Sequence, residues 1–172
     1  VSLSLVYDEN LNDAWAAYDT ITRALEELPS SEELWGRLDQ LADKASLWDK
    51  VFPRYVELFS RDGLSDETRT RLARKLAWIG EQKTGDLEAA EKHHRWIFDR
   101  DRTDRPAFDA LELLYTNRDK YPELKILYRE KADSIADPGE KVELLQKIGF
   151  INEDMLENRK DAIEVYREIL DI

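Results

Sequence analysis

The chain has two histidines, and they are adjacent: His93 and His94. Imidazole nitrogens are common zinc ligands and acid–base catalysts, so this pair is the first place to look for a metal centre or an active site. Adjacent residues of a helix, however, point about 100° apart and cannot bind one ion from the same face. We therefore expect a packing role, with His94 among aromatic residues and His93 outside, and no metal site.

Carboxylates are the other chemically capable groups, and the chain has 38 Asp and Glu. Glu153, Asp154 and Glu157 form one dense group near the C-terminus. Acid-rich helix surfaces are normally solvated faces, and the sequence contains no cysteine, Gly-rich phosphate loop, nucleophile elbow or zincin helix. The sequence therefore predicts a non-enzymatic protein without a cofactor.

The charge balance restricts the partners. With 26 Lys and Arg against 38 Asp and Glu, the formal net charge is −12, so the surface field repels nucleic acid and anionic lipid. We expect a protein or peptide partner with basic or hydrophobic anchors. No signal peptide and no apolar run near ~18 residues is present. A cytoplasmic location is favoured, although the chain begins with Val and we expect a fragment of a longer protein.

The elements that must position any site are helical. Hydrophobic residues make up 42% of the chain, whereas Gly and Pro number only 6 and 5. Apolar residues recur at helical spacing between short breaker clusters, which predicts an all-α fold without a sheet. The nine predicted helices lie near 12–28, 31–44, 47–61, 66–84, 87–101, 105–118, 122–136, 139–157 and 160–172.

Local signals indicate where these helices start. Ser30, Ser65, Asp86 and Asp137 stand where a side-chain oxygen can accept a hydrogen bond from a free backbone amide. Pro53 lies several residues into the third helix and should kink or delay it. The breaks between helices are only a few residues long, so we expect successive helices to form antiparallel pairs.

The helix pairs repeat along the chain. Trp35 and Phe108 lie 73 residues apart in equivalent first helices, and Leu76 and Ile148 lie 72 apart. A shorter and a longer unit therefore alternate. A small or branched residue opens each second helix, namely Ala14, Val51, Ala90, Leu124 and Ala162. Four residues later the column reads Tyr18, Tyr55, His94, Tyr128 and Tyr166.

These residues resemble the tetratricopeptide repeat (TPR) family over essentially the whole chain. That family has an aromatic residue and a leucine in the first helix, a Gly-Asp turn, then an alanine and an aromatic, and a closing proline. The matches are Trp35-x-x-Leu38, Phe108-x-x-Leu111, Gly85-Asp86, Ala162 with Tyr166, Pro29 and Pro138. Asp39 and Glu112 depart from the pattern, because they replace a small residue, and most spacings exceed the family's usual 34.

The resemblance implies a right-handed α-solenoid of antiparallel helix pairs. Residues 1–172 would form a single repeat domain that is part of a longer array, because each hairpin shelters the apolar face of its neighbours. The expected units are approximately 1–29, 30–64, 65–102, 103–137 and 138–172.

In the TPR resemblance, Trp78 and Phe150 occupy positions that line the concave inner surface. Large apolar side chains there would mark a binding groove. The alternative, which we narrowly prefer, is that both rings pack between repeats, since aromatic residues mostly serve burial. The candidate partner-binding residues are Trp78, Phe150, Gln40, Arg74, Asp109, Leu113, Asn117 and Gln146.

The predicted function is a protein-interaction scaffold that binds a peptide or a helix of a partner in this groove. The TPR proteins that hold acidic C-terminal tails use Lys, Asn and Arg at inner positions where this chain has Gly36, Gln40, Asp109 and Leu113, so a carboxylate clamp is not expected. Two alternatives stay open. One is an architectural segment of a longer rod or a self-associating array, and the other is the half-a-TPR type of module of RNA-processing assemblies.

Overall fold

The computed structural model describes residues 14–172, and in this range it contains nine α-helices and no strand. The predicted all-α class is therefore confirmed, and most helix ends fall within a few residues of their predicted positions. The first predicted helix, near 12–28, starts partly outside the described residues. The helices are α1 (Ala14–Glu27), α2 (Glu32–Ala45), α3 (Trp48–Phe59), α4 (Asp66–Ile79), α5 (Leu87–Arg100), α6 (Arg105–Asn117), α7 (Tyr121–Ser134), α8 (Pro138–Phe150) and α9 (Arg159–Leu170).

Two helices end in a wider π-helical turn that the sequence did not predict. Gly80–Thr84 follows α4, and Ile151–Met155 follows α8. The predictions 66–84 and 139–157 treated each of these stretches as one α-helix, so their extents were nearly right and their winding was wrong. The π-helix is rare and occurs mostly as single turns, which is why apolar periodicity does not reveal it.

Side-chain caps begin several of the helices. Ser65, Asp86 and Asp137 each accept a hydrogen bond from the amide three residues further on, which confirms three of the predicted caps. The prediction for Ser30 was wrong, because Ser31 caps α2 by accepting from the amide of Leu34 at 3.4 Å. The two serines are adjacent, and the sequence pattern alone does not separate them.

Of the kink or delay predicted at Pro53, the delay was wrong. Helix α3 begins five residues earlier, at Trp48, and runs without a break to Phe59. Pro53 is exposed, and so is Asp49, whose carbonyl loses its amide partner to the proline ring. Water can therefore hydrate that carbonyl, which lowers the cost of proline inside the helix.

The chain divides into two compact units, one ending at Ala90 and one running from Glu91 to Ile172. In the first unit, the helices pack on fully buried residues such as Leu38, Tyr55 and Leu76. Burial of each such side chain contributes about 1.5–3 kcal/mol to stability. The second unit has its own core, which contains Leu111, Leu127, Leu145 and Ile148. No helix in the described part of the chain is both long and apolar enough to cross a membrane.

From α1 to α4, and again from α6 to α9, each helix contacts the next one along the chain. Ion pairs also join helices that are two apart. In the first unit, Arg71 of α4 pairs with Glu32 of α2 at 2.7 Å. In the second unit, Arg129 of α7 pairs with Glu168 of α9 at 2.8 Å.

The two units repeat the same unusual backbone features. Ser46 and Asp119, which are 73 residues apart, both have a positive φ, of 54° and 53°. Gly85 and Glu157, 72 residues apart, have φ values of 71° and 51° and follow the two π-helical turns. Left-handed backbone is uncommon outside glycine, so its recurrence at the predicted offsets supports the internal repeat. The finer division into five units stays a prediction.

Candidate functional site

All eight residues predicted to bind a partner are exposed to solvent. Trp78 is 40% exposed and Phe150 is 51% exposed. The narrowly preferred interpretation was that both rings pack between repeats; both rings are exposed, although Trp78 does contact Trp48 of the neighbouring predicted unit. Three of the eight lie in the first unit (Gln40, Arg74, Trp78) and five lie in the second (Asp109, Leu113, Asn117, Gln146, Phe150).

A groove of about 420 Å³ runs between α2 and α4 in the first unit. Gly36 of α2 forms part of its floor, and a Cβ atom added there would meet no heavy atom within 4 Å. Two tryptophans and the stems of three cationic side chains supply most of the wall. The lining residues are Glu32, Trp35, Gly36, Arg71, Arg74, Lys75 and Trp78.

The Trp78 ring is held in place by neighbours on its own unit. The ring of Trp48 meets it edge to face, with centroids 5.8 Å apart. The ammonium groups of Lys75 and Lys83 lie 5.8 and 5.1 Å from its centroid. Each such cation–π contact contributes about 0.5–1 kcal/mol at an exposed site. Trp78 is therefore exposed and yet fixed, which is the state of a preformed contact residue.

Asp43 holds the cluster of Trp48, Trp78 and Lys83 together by two hydrogen bonds. Its carboxylate accepts a hydrogen bond from the Lys83 ammonium at 2.7 Å and another from the Trp48 indole at 2.8 Å. These two hydrogen bonds, led by that from Lys83, hold the pKa of Asp43 below its ordinary value. The lysine is thus fixed over the two indole rings.

A second support of the groove is a triad formed by three consecutive helices. Asp39 of α2 forms an ion pair with Lys75 of α4, and its carboxylate lies 2.8 Å from the hydroxyl of Tyr55 of α3. The same hydroxyl lies 3.0 Å from the carbonyl of Trp35 and can donate its proton to one of these acceptors at a time. Burial, followed by the negative charge of Asp39, raises the pKa of Tyr55 well above its ordinary value.

The second unit repeats this triad at the same offsets. Tyr128 donates to Glu112 at 2.6 Å, and the Lys147 ammonium donates to the same carboxylate at 2.7 Å. Burial works against ionisation of Glu112, but the hydrogen bonds from Lys147 and Tyr128 outweigh it and hold its pKa below the ordinary range. Asp39 and Glu112, which depart from the TPR pattern, are therefore the acceptors that join the helices of each unit.

The face of the second unit that corresponds to the groove has different side chains. Asp109 stands where Gly36 stands in the first unit, and Arg105 pairs with it at 2.7 Å. Phe150 replaces Trp78, and Leu113, which replaces Gln40, is 61% exposed. This face has two exposed apolar side chains but lacks the glycine floor.

The prediction that His94 is packed inside and His93 lies outside was wrong. His93 is buried, with 3% exposure, whereas His94 is only half-buried. His94 was expected inside because it lies in the aromatic column, but in the structure the residue before it, His93, is the buried one. Within residues 14–172, no group of three or more His, Cys, Asp or Glu side chains is placed to hold a metal ion.

Sequence reasoning missed the lysines of this site. Lys75, Lys83 and Lys147 were not among the predicted residues, although the offset of 72 between Lys75 and Lys147 was a usable signal. Comparison of the sequence with protein-family models found no matching family, and a search of curated proteins found no match.

Proposed function

We propose that this protein is a non-enzymatic helical-repeat module that binds a segment of a partner protein in the groove between α2 and α4. The observation that carries the proposal is the exposed, fixed indole of Trp78 beside an open floor at Gly36. Fixed aromatic residues beside a pocket are typical of binding hot spots, because little side-chain entropy is lost when the partner arrives.

The groove favours an apolar anchor on the partner. Its walls are indole rings and aliphatic stems, and an apolar side chain of leucine or phenylalanine size would cover them. A basic anchor would meet like charge, because three cations and one acid line the groove. The cations already have local partners, such as Asp39 for Lys75 and Glu32 for Arg71, so the groove does not present a free charge cluster.

The proposed architecture is a TPR-like solenoid of helix pairs. The contacts between helices one and two apart, and the backbone features that recur after 72 and 73 residues, support it. In such a stack the first helices of successive pairs form one side. The groove would lie on that side, because its residues belong to α2 and α4, the first helices of two successive proposed pairs.

Catalysis is not part of the proposal. The hydroxyl groups of Tyr55 and Tyr128 are buried and their pKa values are raised, so both stay protonated and serve as hydrogen-bond donors. Their carboxylate partners, Asp39 and Glu112, join neighbouring helices.

The experiment uses the wild-type chain as the target to select binding peptides from a displayed random library. The affinities of the selected peptides are then measured by calorimetry. Trp78→Ala should weaken binding about 30-fold or more, the effect expected for a hot-spot side chain. Gly36→Phe should abolish binding, because the new ring fills the floor of the groove.

Two variants serve as matched controls. Gly36→Ala adds only one methyl group to open space and should keep the affinity within about threefold, a difference of less than 1 kcal/mol. Phe150→Ala removes the equivalent ring of the second unit. Peptides that bind Gly36→Phe and Trp78→Ala as tightly as the wild type would overturn the proposal, provided that circular dichroism shows both variants folded.

A further inference from the structure

The ammonium group of Lys83 lies between two aromatic walls in the first unit. Its nitrogen is 5.3 Å from the ring centroid of Trp48 and 5.1 Å from that of Trp78. The two rings stand at 76° to each other, and Asp43 accepts a hydrogen bond from the ammonium at 2.7 Å. Trp48, Trp78 and Asp43 thus form an aromatic cage around a cation. Cages of this kind recognise quaternary and methylated ammonium groups.

The cage has binding capacity that Lys83 does not use. The Oδ1 atom of Asp43 accepts hydrogen bonds from both Lys83 and the Trp48 indole, whereas its Oδ2 atom accepts none from residues 14–172. The side chain of Asp43 is 53% exposed, and that of Lys83 is 24% exposed. Both residues line a hollow of about 540 Å³ beside the cage, and Trp48 lines it too. A larger ammonium group can therefore reach the carboxylate and the rings from this hollow.

The fold does not require the pair of Asp43 and Lys83. The equivalent positions in the second unit, 73 and 72 residues later, are Thr116 and Met155, which carry no charge. The second unit nevertheless forms the same π-helical turn, at Ile151–Met155. Since the backbone forms without the acid and the cation, their presence in the first unit points to a ligand rather than to folding.

We propose that Trp48, Trp78 and Asp43 form a binding site for an alkylammonium group, and that Lys83 occupies this site when the ligand is absent. The ligand class comprises quaternary ammonium compounds such as choline and the methylated lysine side chains of other proteins. Methyl groups spread their charge, so they lose less hydration than a primary ammonium on entering between two rings. Binding displaces the Lys83 ammonium into the hollow and its water. The site needs no partner segment in the groove, so it does not depend on the proposed function.

The test titrates the full chain with choline chloride at constant ionic strength and follows the indole signals by NMR. Lys83→Ala removes the internal competitor and should raise the affinity for choline about tenfold or more, because the site is then open in every molecule. Lys92→Ala, which removes an exposed lysine of α5, is the matched control and should keep the affinity of the wild type.

The charge of the probe separates cation recognition from simple apolar contact. The neutral tert-butyl isostere of choline has the same shape without the charge. It should bind Lys83→Ala about tenfold or more weakly than choline does, because the attraction of the ring faces acts on the cation. A peptide with one trimethyllysine then identifies the source of the ligand. Binding about tenfold or more tighter than that of choline assigns the site to a modified protein, and equal binding assigns it to a small molecule.

Two further variants, made in the Lys83→Ala chain, locate the site. Trp48→Ala removes one wall and should abolish choline binding. Because Trp48 is largely buried and its loss can unfold the chain, Asp43→Asn provides a second variant at an exposed position. It should weaken choline binding about threefold or more, since it removes the negative charge and keeps the shape.

Three results would overturn the proposal. The first is choline binding to Lys83→Ala that is no tighter than to the wild type. The second is equal binding of choline and its neutral isostere. The third is choline binding that persists unchanged in both Trp48→Ala and Asp43→Asn, which would place the ligand elsewhere.

Discussion

The Trp78 face of the first unit and the Phe150 face of the second are built on the same framework but present different surfaces. In both units a tyrosine and a lysine meet one carboxylate, and a π-helical turn follows the aromatic residue. The exposed positions differ: Gly36 and Arg74 of the first unit correspond to Asp109 and Gln146 of the second. The triads thus maintain the geometry of both units, and the positions around them can differ from one face to the other.

The two triads also differ in how well they are enclosed. The side chains of Lys75 and Asp39 are 21% and 19% exposed, whereas those of Lys147 and Glu112 are 50% and 26% exposed. A more enclosed ion pair is screened less by water and salt. The framework of the first unit, next to the groove, should therefore be the more rigid of the two.

The largest expected effect concerns Gly80 of the first unit and Gly149 of the second. A Cβ at Gly80 would lie 2.7 Å from the backbone oxygen of Asp86, which cannot move aside easily. A Cβ at Gly149 would instead meet the ring of Tyr166, which is partly exposed and can rotate away. Gly80→Ala should cost about 1–3 kcal/mol in the free energy of unfolding, and Gly149→Ala clearly less. Urea denaturation of both variants checks the order, and a larger loss for Gly149→Ala would contradict it.

Removal of the triad hydroxyls should have the next largest effect. Tyr55→Phe should cost about 1.5–2 kcal/mol, because it removes a buried hydrogen bond to a charged group. Tyr128→Phe should cost about 1 kcal/mol, since the triad of the second unit is more exposed. Guanidinium denaturation measures both. Equal losses would show that enclosure of the ion pair does not matter.

Acid should weaken the triad of the second unit. The pKa of Glu112 is lowered in the folded protein, so its stabilisation is complete above its unfolded value, about 4.3, and is lost as pH falls through the folded pKa. Glu112→Gln should therefore destabilise the protein by about 1 kcal/mol at pH 7 and have little effect near pH 3. Unfolding at a series of pH values tests this, with Glu143→Gln, an exposed change on α8, as the control. A loss of stability in Glu112→Gln that does not vary with pH would rule out the ion pair as the source of that loss.

The smallest expected effect is a gain in stability at the groove floor. Gly36→Ala should stabilise α2 by about 0.5–1 kcal/mol, because alanine restricts the unfolded chain and meets no neighbour in the fold. Asp109→Ala, at the equivalent position, should gain less because it breaks the ion pair with Arg105. Thermal unfolding checks both variants. A loss of stability in Gly36→Ala would mean that the groove is less open than described.

Much of the fold could be predicted from the sequence. Helical spacing of apolar residues located the helices, and the offsets of 72 and 73 located equivalent positions, because burial repeats with the period of each element. The eight residues selected as partner-binding candidates are exposed, including Trp78 and Phe150, and their place on an inner face stays a prediction.

The remaining features depend on contacts between helices. The π-helical turns, the inward turn of His93 and the salt bridge from Lys75 to Asp39 are tertiary effects that no local pattern encodes. Asp39 departs from the repeat pattern in the sequence, and its role follows only from its contacts with Lys75 and Tyr55. The helix ran through Pro53 because solvent exposure makes the missing hydrogen bond tolerable.

Site-specific crosslinking tests most directly whether the groove of the first unit is the binding surface. A photoreactive phenylalanine analogue is placed at position 78 in one chain and at position 150 in another, and each is irradiated with the selected peptides. Efficient crosslinking from position 78, with little from position 150, is the result expected if the groove beside Gly36 seats the partner's anchor. Crosslinking from position 150 alone, or equally from both, would contradict that claim.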